Sequence, residues 1–248
     1  MAFLFSFFFG LSAGSFLNAL LYRMERGQSV WTGRSRCPSC GHQLSWYDLI
    51  PLVSFALLRG RCRYCEKRIA LRYPIVELGV GVAFVLLFHL AAGPFSLLLL
   101  WALSFMLFAI ALYDAKHLVI PETFVYLALA LALLWRLSEG GNVVLAFLSA
   151  VGAAAFFLAI FLVSRGRWMG FGDVELVFFM GLLLSWPAIL VSLYAAFLTG
   201  AGFGITLIFL GKRTFGSQVP FAPFLVLGTF VTLLFGENLV NWYLHFFL

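Results

Sequence analysis

Residues 95–114 read FSLLLLWALSFMLFAIALYD, and this stretch decides the class of fold. Nineteen uncharged residues precede its first charged side chain, Asp114. A run of about 20 apolar residues is long enough to cross the hydrocarbon core of a bilayer as an α-helix. Because a helix bonds its own backbone N–H and C=O groups, it crosses lipid without leaving polar groups unsatisfied. The stretch therefore predicts a transmembrane helix that ends in a carboxyl group.

Apolar runs of this kind recur along the whole chain. The 248 residues are 63% hydrophobic and 10% charged, with 30 Phe, a composition that excludes a soluble globular protein. We expect the first run to be a retained helix, because no basic residue precedes it and no small-residue cleavage site follows it. The sequence predicts an all-α polytopic membrane protein with about eight transmembrane helices, at 2–22, 74–92, 95–113, 122–137, 143–163, 174–186, 187–210 and 220–243.

The positive charges predict how these helices are oriented. Cytoplasmic loops of membrane proteins are enriched in Lys and Arg. With the N-terminus outside, 15 of the 16 Lys and Arg residues fall on the cytoplasmic side, and only Arg136 lies outside. Without a turn at 185–187 to separate the sixth helix from the seventh, Lys212 and Arg213 would fall outside as well. The same alternation of helices puts Asp114 and Asp173 at the cytoplasmic face.

A basic segment at 23–73 separates the first helix from the others and holds 10 of the 16 Lys and Arg residues. We predict three parts: a first transmembrane helix at 1–22, a cytoplasmic four-cysteine domain at 23–73 and a membrane core at 74–248. The basic segment contains no motif that recognises nucleic acid. We therefore expect it to contact anionic membrane lipid and not nucleic acid.

All four cysteines lie in this segment, as Cys37-Pro-Ser-Cys40 and Cys62-Arg-Tyr-Cys65. Two Cys-x-x-Cys turns aim four thiolates at one point, which is the ligand set of a tetrahedral Zn²⁺ site. Four cysteines leave no open coordination position, so we predict a structural metal in a small zinc-ribbon-like domain. A disulfide framework is the alternative, and the reducing cytoplasm disfavours it. We interpret His42 as an ordinary loop residue.

Asp114 and Asp173 are two of only three aspartates in the chain. An ionisable side chain at a membrane boundary is costly, and by default it indicates function. Each aspartate also has a structural interpretation, because Asp114 can mark a helix end and Asp173 can cap the next helix. Gly170 and Gly172 precede Asp173. We expect these glycines to permit close backbone approach and backbone angles closed to other residues.

Two carboxyl groups that meet have the minimum chemistry of an aspartyl protease. They share a proton, because two like charges a few ångströms apart do not both ionise cheaply. One carboxylate then activates a water molecule, while the protonated partner donates a hydrogen bond to the scissile carbonyl. Prolines at 121, 220 and 223 lie near the two carboxyls. They either start helices or hold the backbone open for an extended peptide.

Several further motifs occur together with the aspartates and cysteines. They are Gly14-Ser15-Phe16-Leu17-Asn18, Tyr22-Arg23, Leu49-Ile50-Pro51, Gly60-Arg61-Cys62-Arg63-Tyr64-Cys65, Arg72-Tyr73-Pro74-Ile75-Val76-Glu77, Asp114 with Ile120-Pro121, Gly170-Phe171-Gly172-Asp173 and Pro220-Phe221-Ala222-Pro223-Phe224. Over nearly its whole length the chain resembles the type IV prepilin peptidase family, a branch of the Gly-x-Gly-Asp intramembrane aspartyl proteases.

The resemblance implies a bifunctional enzyme of the bacterial cytoplasmic membrane. Such an enzyme cuts the basic leader from prepilins and pseudopilins on the cytoplasmic side. It then methylates the new N-terminal amine with S-adenosylmethionine as methyl donor. By the same resemblance, Asp114 and Asp173 are the protease pair, and the complete four-cysteine domain is typical of members with both activities.

Two positions depart from the family pattern. Glu122 follows Ile120-Pro121 where the family often has Asp, and Glu175 lies two residues after the second aspartate where Lys is common. We hypothesise that Glu122 and Glu175 attract the basic leader. The methyl-transfer site has no nucleotide-binding fingerprint, and Glu77 is the candidate for holding the amine or the cofactor. An ion pair between Glu77 and Arg72 is the alternative interpretation.

Two other classes of function compete with the enzyme. One is a membrane transporter whose aspartate pair relays protons and whose zinc domain serves for docking. Transporters commonly contain internal repeats, and none is evident in this sequence. The other is a non-catalytic scaffold for the assembly of pili or secretion machinery.

Overall fold

The structure, a computed structural model, describes residues 1–30, 33–212 and 218–247, with side chains described up to 241. Within these residues the chain forms α-helices, one 3-10 helix at Trp46–Leu49 and two isolated β-bridges, and no strand longer than a bridge. The helices are α1 (Ala2–Glu25), α2 (Val53–Leu57), α3 (Arg72–Phe88), α4 (Pro94–His117), α5 (Glu122–Ser138), α6 (Val143–Ser164), α7 (Phe171–Leu184), α8 (Ala188–Phe209) and α9 (Ala222–Phe247).

Five helices are long and apolar enough to cross a membrane by length and composition. These are α1, α4, α6, α8 and α9, the last judged over Ala222–Asn241. Helices α3 and α5 have 17 residues each and α7 has 14. At 1.5 Å per residue, α7 is about 21 Å long, which is less than the roughly 30 Å of a hydrocarbon core. The all-helical class is confirmed, and the number of eight spans stays a prediction.

The turn expected at 185–187 is present. Helix α7 ends at Leu184 and α8 begins at Ala188, with Ser185 in the left-handed region at φ 64°. The N–H of Trp186 donates to Ser149 Oγ at 2.9 Å, which ties the turn to α6. This part of the chain therefore forms two helices, as the sequence predicts, and not one continuous helix.

The chain divides into two compact units, Met1–Ala91 and Ala92–Leu248. In the first unit α1 packs on α3 through small residues. A Cβ on Gly10 would lie 2.8 Å from the Cα of Gly81, and a Cβ on Gly14 would lie 2.8 Å from the Cα of Glu77. Such small-residue contacts let membrane helices approach closely. The boundary between the two units comes after α3. The three parts predicted from the sequence instead have their boundaries at the two ends of the basic segment 23–73.

The second unit contains α4 to α9, and glycines again set the closest contacts. Gly181 of α7 packs against the backbone of Ala150 on α6, and Gly228 of α9 packs against the carbonyl of Ser192 on α8. Neither site has room for a Cβ atom. These contacts fix α7 against α6 and α9 against α8, and both α7 and α9 carry parts of the candidate site.

Candidate functional site

Asp114 and Asp173 are both buried, with 5% and 8% of their surface exposed. Asp114 lies in the last turn of α4, and Asp173 lies in the first turn of α7. The two carboxyl groups are close enough for the charge of Asp114 to act on Asp173. The tertiary fold therefore brings together the two side chains that the sequence singled out.

Asp114 receives a hydrogen bond from the start of a distant helix. The backbone N–H of Ala222 donates to Asp114 Oδ2 at 3.2 Å, in a buried environment and across 108 positions of sequence. The first N–H groups of a helix have no partner within the helix and carry the positive end of its dipole. Helix α9 therefore stabilises a negative charge on Asp114, a role that the proline-rich start of this helix did not reveal.

Asp173 occupies the third position of α7 and reaches back to the start of its own helix. The N–H of Gly170, the N-cap residue, donates to Asp173 Oδ2 at 3.2 Å. The alternative interpretation of Asp173 as the N-cap is wrong, because the helix begins two residues earlier at Phe171. The carboxylate still lies at the positive end of a helix dipole, as it would in an N-cap.

The two glycines before Asp173 differ in role. A Cβ on Gly172 would lie 2.9 Å from the Cβ of Ile120, so Gly172 allows α7 to approach the segment between α4 and α5. Gly170 has φ −78°, which any residue adopts, and Gly172 is helical. The expectation of close approach is confirmed at Gly172, and the expectation of unusual backbone angles is wrong at both positions.

Two acidic side chains lie around Tyr126 on α5. The Tyr126 hydroxyl donates to Glu175 Oε1 at 3.3 Å, and the charges of Glu175 and Glu122 both act on it. Glu122 is exposed and Glu175 is half-buried. His117 is exposed and lies against the ring of Tyr113 at a centroid distance of 4.5 Å.

The four cysteines form one cluster in the cysteine module, residues 33–71. Their Sγ atoms all lie within 4.8 Å of one another, and all four are free thiols. Cys37 Sγ lies 3.9 Å from Cys65 Sγ. Four sulfurs at 2.3 Å from a tetrahedral zinc ion are separated by about 3.8 Å. The cluster can therefore hold a zinc ion with four thiolate ligands.

Both Cys-x-x-Cys turns have the same backbone hydrogen bonds. The N–H of Cys37 donates to the carbonyl of His42 at 2.9 Å, and the N–H of Cys62 donates to that of Lys67 at 2.9 Å. Each turn is closed by a β-bridge, Arg36 with Gln43 and Arg61 with Arg68. The module is thus built from two equivalent knuckles. His42 stacks on a tyrosine ring and is not one of the clustered ligands.

Glu77 lies on α3 in the first unit and is half-buried. Its Oε2 accepts a hydrogen bond from the N–H of Leu52 at 2.9 Å. Arg72 instead donates to the Tyr73 hydroxyl at 3.3 Å and stacks over the Tyr73 ring. The alternative of a Glu77–Arg72 ion pair is therefore wrong.

Comparison with known proteins decides the family. A sequence profile described as the bacterial Peptidase A24 N-terminal domain matches residues 8–91, and one described as the type IV leader peptidase family matches residues 101–205. A prepilin leader peptidase/N-methyltransferase of Aeromonas hydrophila is 31% identical, over 98% of this chain and 93% of its own length. The chain belongs to the type IV leader peptidase family.

Other proteins with the same name are about as similar to this chain. One from Myxococcus xanthus is 35% identical over 86% of this chain and 67% of its own length. One from Pseudomonas aeruginosa is 30% identical over 96% of this chain and 91% of its own length. No solved structure matches the chain significantly.

Membership in the type IV leader peptidase family confirms the resemblance seen in the sequence. The stretch matched by the second profile contains Asp114 and Asp173. The stretch matched by the first profile contains the cysteine cluster and Glu77. The first matched stretch lies in the first compact unit, and the second matched stretch lies in the second.

Proposed function

We propose that this protein is a bifunctional membrane enzyme. It removes the basic leader peptide from prepilins and pseudopilins, and it then methylates the new N-terminal residue. Relatives named for both activities align with almost the whole chain, which supports this assignment. The observation that carries the peptidase is the burial of Asp114 and Asp173 within reach of each other's charge.

The proposed cleavage uses the aspartate pair with a shared proton. The Oδ2 atoms of Asp114 and Asp173 accept hydrogen bonds from Ala222 and Gly170, so each carboxyl keeps its other oxygen for chemistry. One carboxylate removes a proton from water, and that water attacks the scissile carbonyl. The protonated partner donates a hydrogen bond to the carbonyl oxygen as it becomes negative. The N-terminal dipoles of α7 and α9 stabilise the single negative charge of the pair.

The proposed enzyme is an inner-membrane protein with eight spans, the N-terminus outside and the active site at the cytoplasmic face. Helices α3, α5 and α7 are the three spans that fall short of the usual length, and the charge count requires all three. The basic residues at helix ends then lie inside, with Arg136 outside. Arg213, one of the counted charges, lies outside the described residues.

The cysteine module is proposed as a cytoplasmic domain stabilised by a structural zinc ion. Its partners are the prepilin substrate and membrane lipid, and the assignment involves no nucleic acid. S-adenosylmethionine is the methyl donor of the second activity. The thiolates of Cys37, Cys40, Cys62 and Cys65 leave no open metal position, so the metal takes no part in either reaction.

Glu122 and Glu175 are proposed as contacts for the basic leader, and Tyr126 holds Glu175 in place. Glu175→Lys is expected to slow cleavage of a basic leader several-fold and to spare a leader whose charges have been neutralised. Glu139→Lys, at the other end of α5, serves as the matched control. Equal cleavage of both leaders by the Glu175→Lys protein would contradict this role.

The decisive test is cleavage of a prepilin by the purified protein in lipid nanodiscs. Asp114→Asn and Asp173→Asn should each lower the cleavage rate by at least 10³-fold, because one neutral amide removes the shared proton. Glu139→Gln, an exposed acid outside the pair, should keep the parental rate. A transporter or a scaffold would show no cleavage at all, and near-parental cleavage by either asparagine variant would reject the paired mechanism.

A further inference from the structure

A large cavity lies inside the first unit, between the membrane helices and the cysteine module. Its volume is about 890 Å³, within the range of roughly 300–1,000 Å³ that is typical of small-molecule sites. Residues of α1, of the start of α3 and of both knuckles line it. The cysteine cluster itself forms part of the wall through Cys37 and Cys62. All residues that line this cavity belong to the first unit, and the aspartate pair belongs to the second.

Glu77 is the acidic group in this cavity that is available to a ligand. No ion pair to Glu77 forms within the described part of the chain, and its carboxyl group accepts a hydrogen bond from the Leu52 N–H. The second acid of the wall, Asp48, already accepts hydrogen bonds from three donors, including Arg63 at 2.8 Å. A half-buried carboxylate without a cationic partner favours a positively charged ligand.

The backbone is arranged around this carboxylate with some strain. Leu52 has φ 59°, in the left-handed region that non-glycine residues rarely adopt, and this conformation belongs to the residue whose N–H donates to Glu77. Gly14 brings the backbone of α1 against Glu77, and a Cβ there would lie 2.8 Å from the Glu77 Cα. Strained and closely packed groups around one polar side chain are typical of functional sites.

The rest of the wall suits a zwitterionic, aromatic-containing ligand. Five arginines line the cavity, and they can contact a carboxylate: Arg23, Arg26, Arg34, Arg36 and Arg63. Tyrosine and phenylalanine side chains that can contact an adenine ring line it too: Phe16, Tyr22, Phe55 and Tyr73. Arg23 also donates to the carbonyls of Val30 and Gly33, at 2.9 and 3.0 Å, and so holds the segment after α1 at the cavity.

We propose that this cavity binds S-adenosylmethionine together with the new N-terminal amine, and that Glu77 holds the amine. The inference rests on the proposed methyltransferase function and deepens it. S-adenosylmethionine supplies its methyl group to the amine nitrogen: an N–C bond forms, the S–C bond breaks with its electron pair on sulfur, and S-adenosylhomocysteine is released. Glu77 orients the ammonium group and accepts the proton that must leave before the nitrogen can attack, and passes it to water.

The first test replaces Glu77 with glutamine in the full-length, zinc-loaded protein. The amide oxygen of Gln still accepts the Leu52 N–H, so the substitution removes charge and keeps the local structure. Methylation of a co-purified pilin, followed by mass spectrometry, should fall by at least roughly 100-fold. Cleavage should stay within twofold, and S-adenosylhomocysteine binding by calorimetry within about threefold. Glu139→Gln, which is outside the cavity, should change none of the three.

A second variant tests the cavity itself. Ala19→Trp places a bulky side chain in the cavity wall and should weaken S-adenosylhomocysteine binding at least tenfold while cleavage persists. Leu57→Trp is the matched control, because Leu57 is 77% exposed and is not part of the wall. Parental binding by the Ala19→Trp protein would overturn the assignment of the cavity.

The remaining outcomes show which of the proposals fails. Near-parental methylation by Glu77→Gln, or loss of zinc or thermal stability in that variant, would overturn the role of Glu77 and leave it a structural residue. If the parental protein cleaves prepilin but neither binds S-adenosylhomocysteine nor methylates, the proposed methyltransferase function fails. If the parent binds S-adenosylhomocysteine and methylates the pilin, and the Ala19→Trp and Glu77→Gln proteins do both equally well, only the present inference fails.

Discussion

At the scale of single residues, Asp48 links several parts of the cysteine module. Its side chain is 3% exposed and accepts hydrogen bonds from the Ser45 N–H, from Arg63 Nε and from the Tyr64 hydroxyl, at 3.2, 2.8 and 3.0 Å. Burial alone would raise the pKa of Asp48, but the three donors outweigh it and lower the pKa below its ordinary value. The charged form of Asp48 therefore stabilises the folded module.

This shift predicts how the module responds to acid. Because the folded pKa lies below the unfolded value of about 3.9, the contribution of Asp48 is fully present above about pH 5 and is lost as the pH falls through the folded value. Asp48→Asn should speed amide hydrogen exchange in the module a few-fold at pH 6. The difference between parent and variant should shrink below about pH 4, and a difference that grew with acid would contradict the sign.

The two knuckles differ at one strained position. The residue after the second cysteine is Gly41 in one knuckle, at φ 72°, and Glu66 in the other, at φ 57°. Side chains in this left-handed region cost about 1 kcal/mol, and glycine avoids the cost. Zinc affinity includes the folding energy of its site. Glu66→Gly should therefore strengthen zinc binding up to a few-fold, and Gly41→Ala should weaken it about fivefold, as measured by chelator competition. Effects of the same sign would contradict this account.

At the scale of helices, a contact through glycine helps to determine where the carboxyl group of Asp173 lies. Gly181 and Asp173 are both on α7, and Gly181 packs directly on the backbone of Ala150 in α6. Backbone atoms do not move aside as the end of a flexible side chain can. A methyl group at this contact must shift α7, and the position of Asp173 shifts with it.

We therefore expect Gly181→Ala to reduce both stability and cleavage. Overpacking typically costs about 1–3 kcal/mol, more than the roughly 1 kcal/mol that alanine contributes to a helix. Gly152→Ala is the matched control, because a Cβ at Gly152 on α6 meets nothing within 4 Å. Thermal melting and cleavage assays of both proteins check the prediction. Similar behaviour of the two variants would show that the α6–α7 contact has room to relax.

At the scale of the whole molecule, the two proposed activities belong to different compact units. The cysteine cluster and the cavity lie in Met1–Ala91, and the aspartate pair lies in Ala92–Leu248. Cys37 and Cys62 belong both to the cysteine cluster and to the cavity wall. A zinc ion held by the four cysteines would therefore support the proposed methylation cavity directly.

This division predicts the effect of metal removal. Chelation of zinc, or Cys37→Ser, should lower bound metal, loosen the module and reduce methylation at least as much as cleavage. Elemental analysis and mass spectrometry of a processed pilin measure metal, cleavage and methylation on the same sample. The absence of zinc from the intact protein would contradict the metal assignment, and a selective loss of cleavage would contradict the division of labour.

The sequence by itself determined the helical membrane class, the two Cys-x-x-Cys turns and the two candidate aspartates. Each of these follows from local rules: the length of an apolar run, the spacing of ligands in one turn, and the cost of a carboxyl near lipid. The short helix α7 and the turn after it were also predictable, because charge balance and proline placement are properties of the chain.

Only the tertiary structure decided which groups meet. It joined the Ala222 N–H to Asp114, gave Glu77 the Leu52 N–H in place of Arg72, and closed a cavity against the cysteine module. In helices that are apolar on every face, sequence periodicity does not show which face packs on a neighbour. That choice depends on small residues and shape at each contact, and it appears only when the helices are packed together.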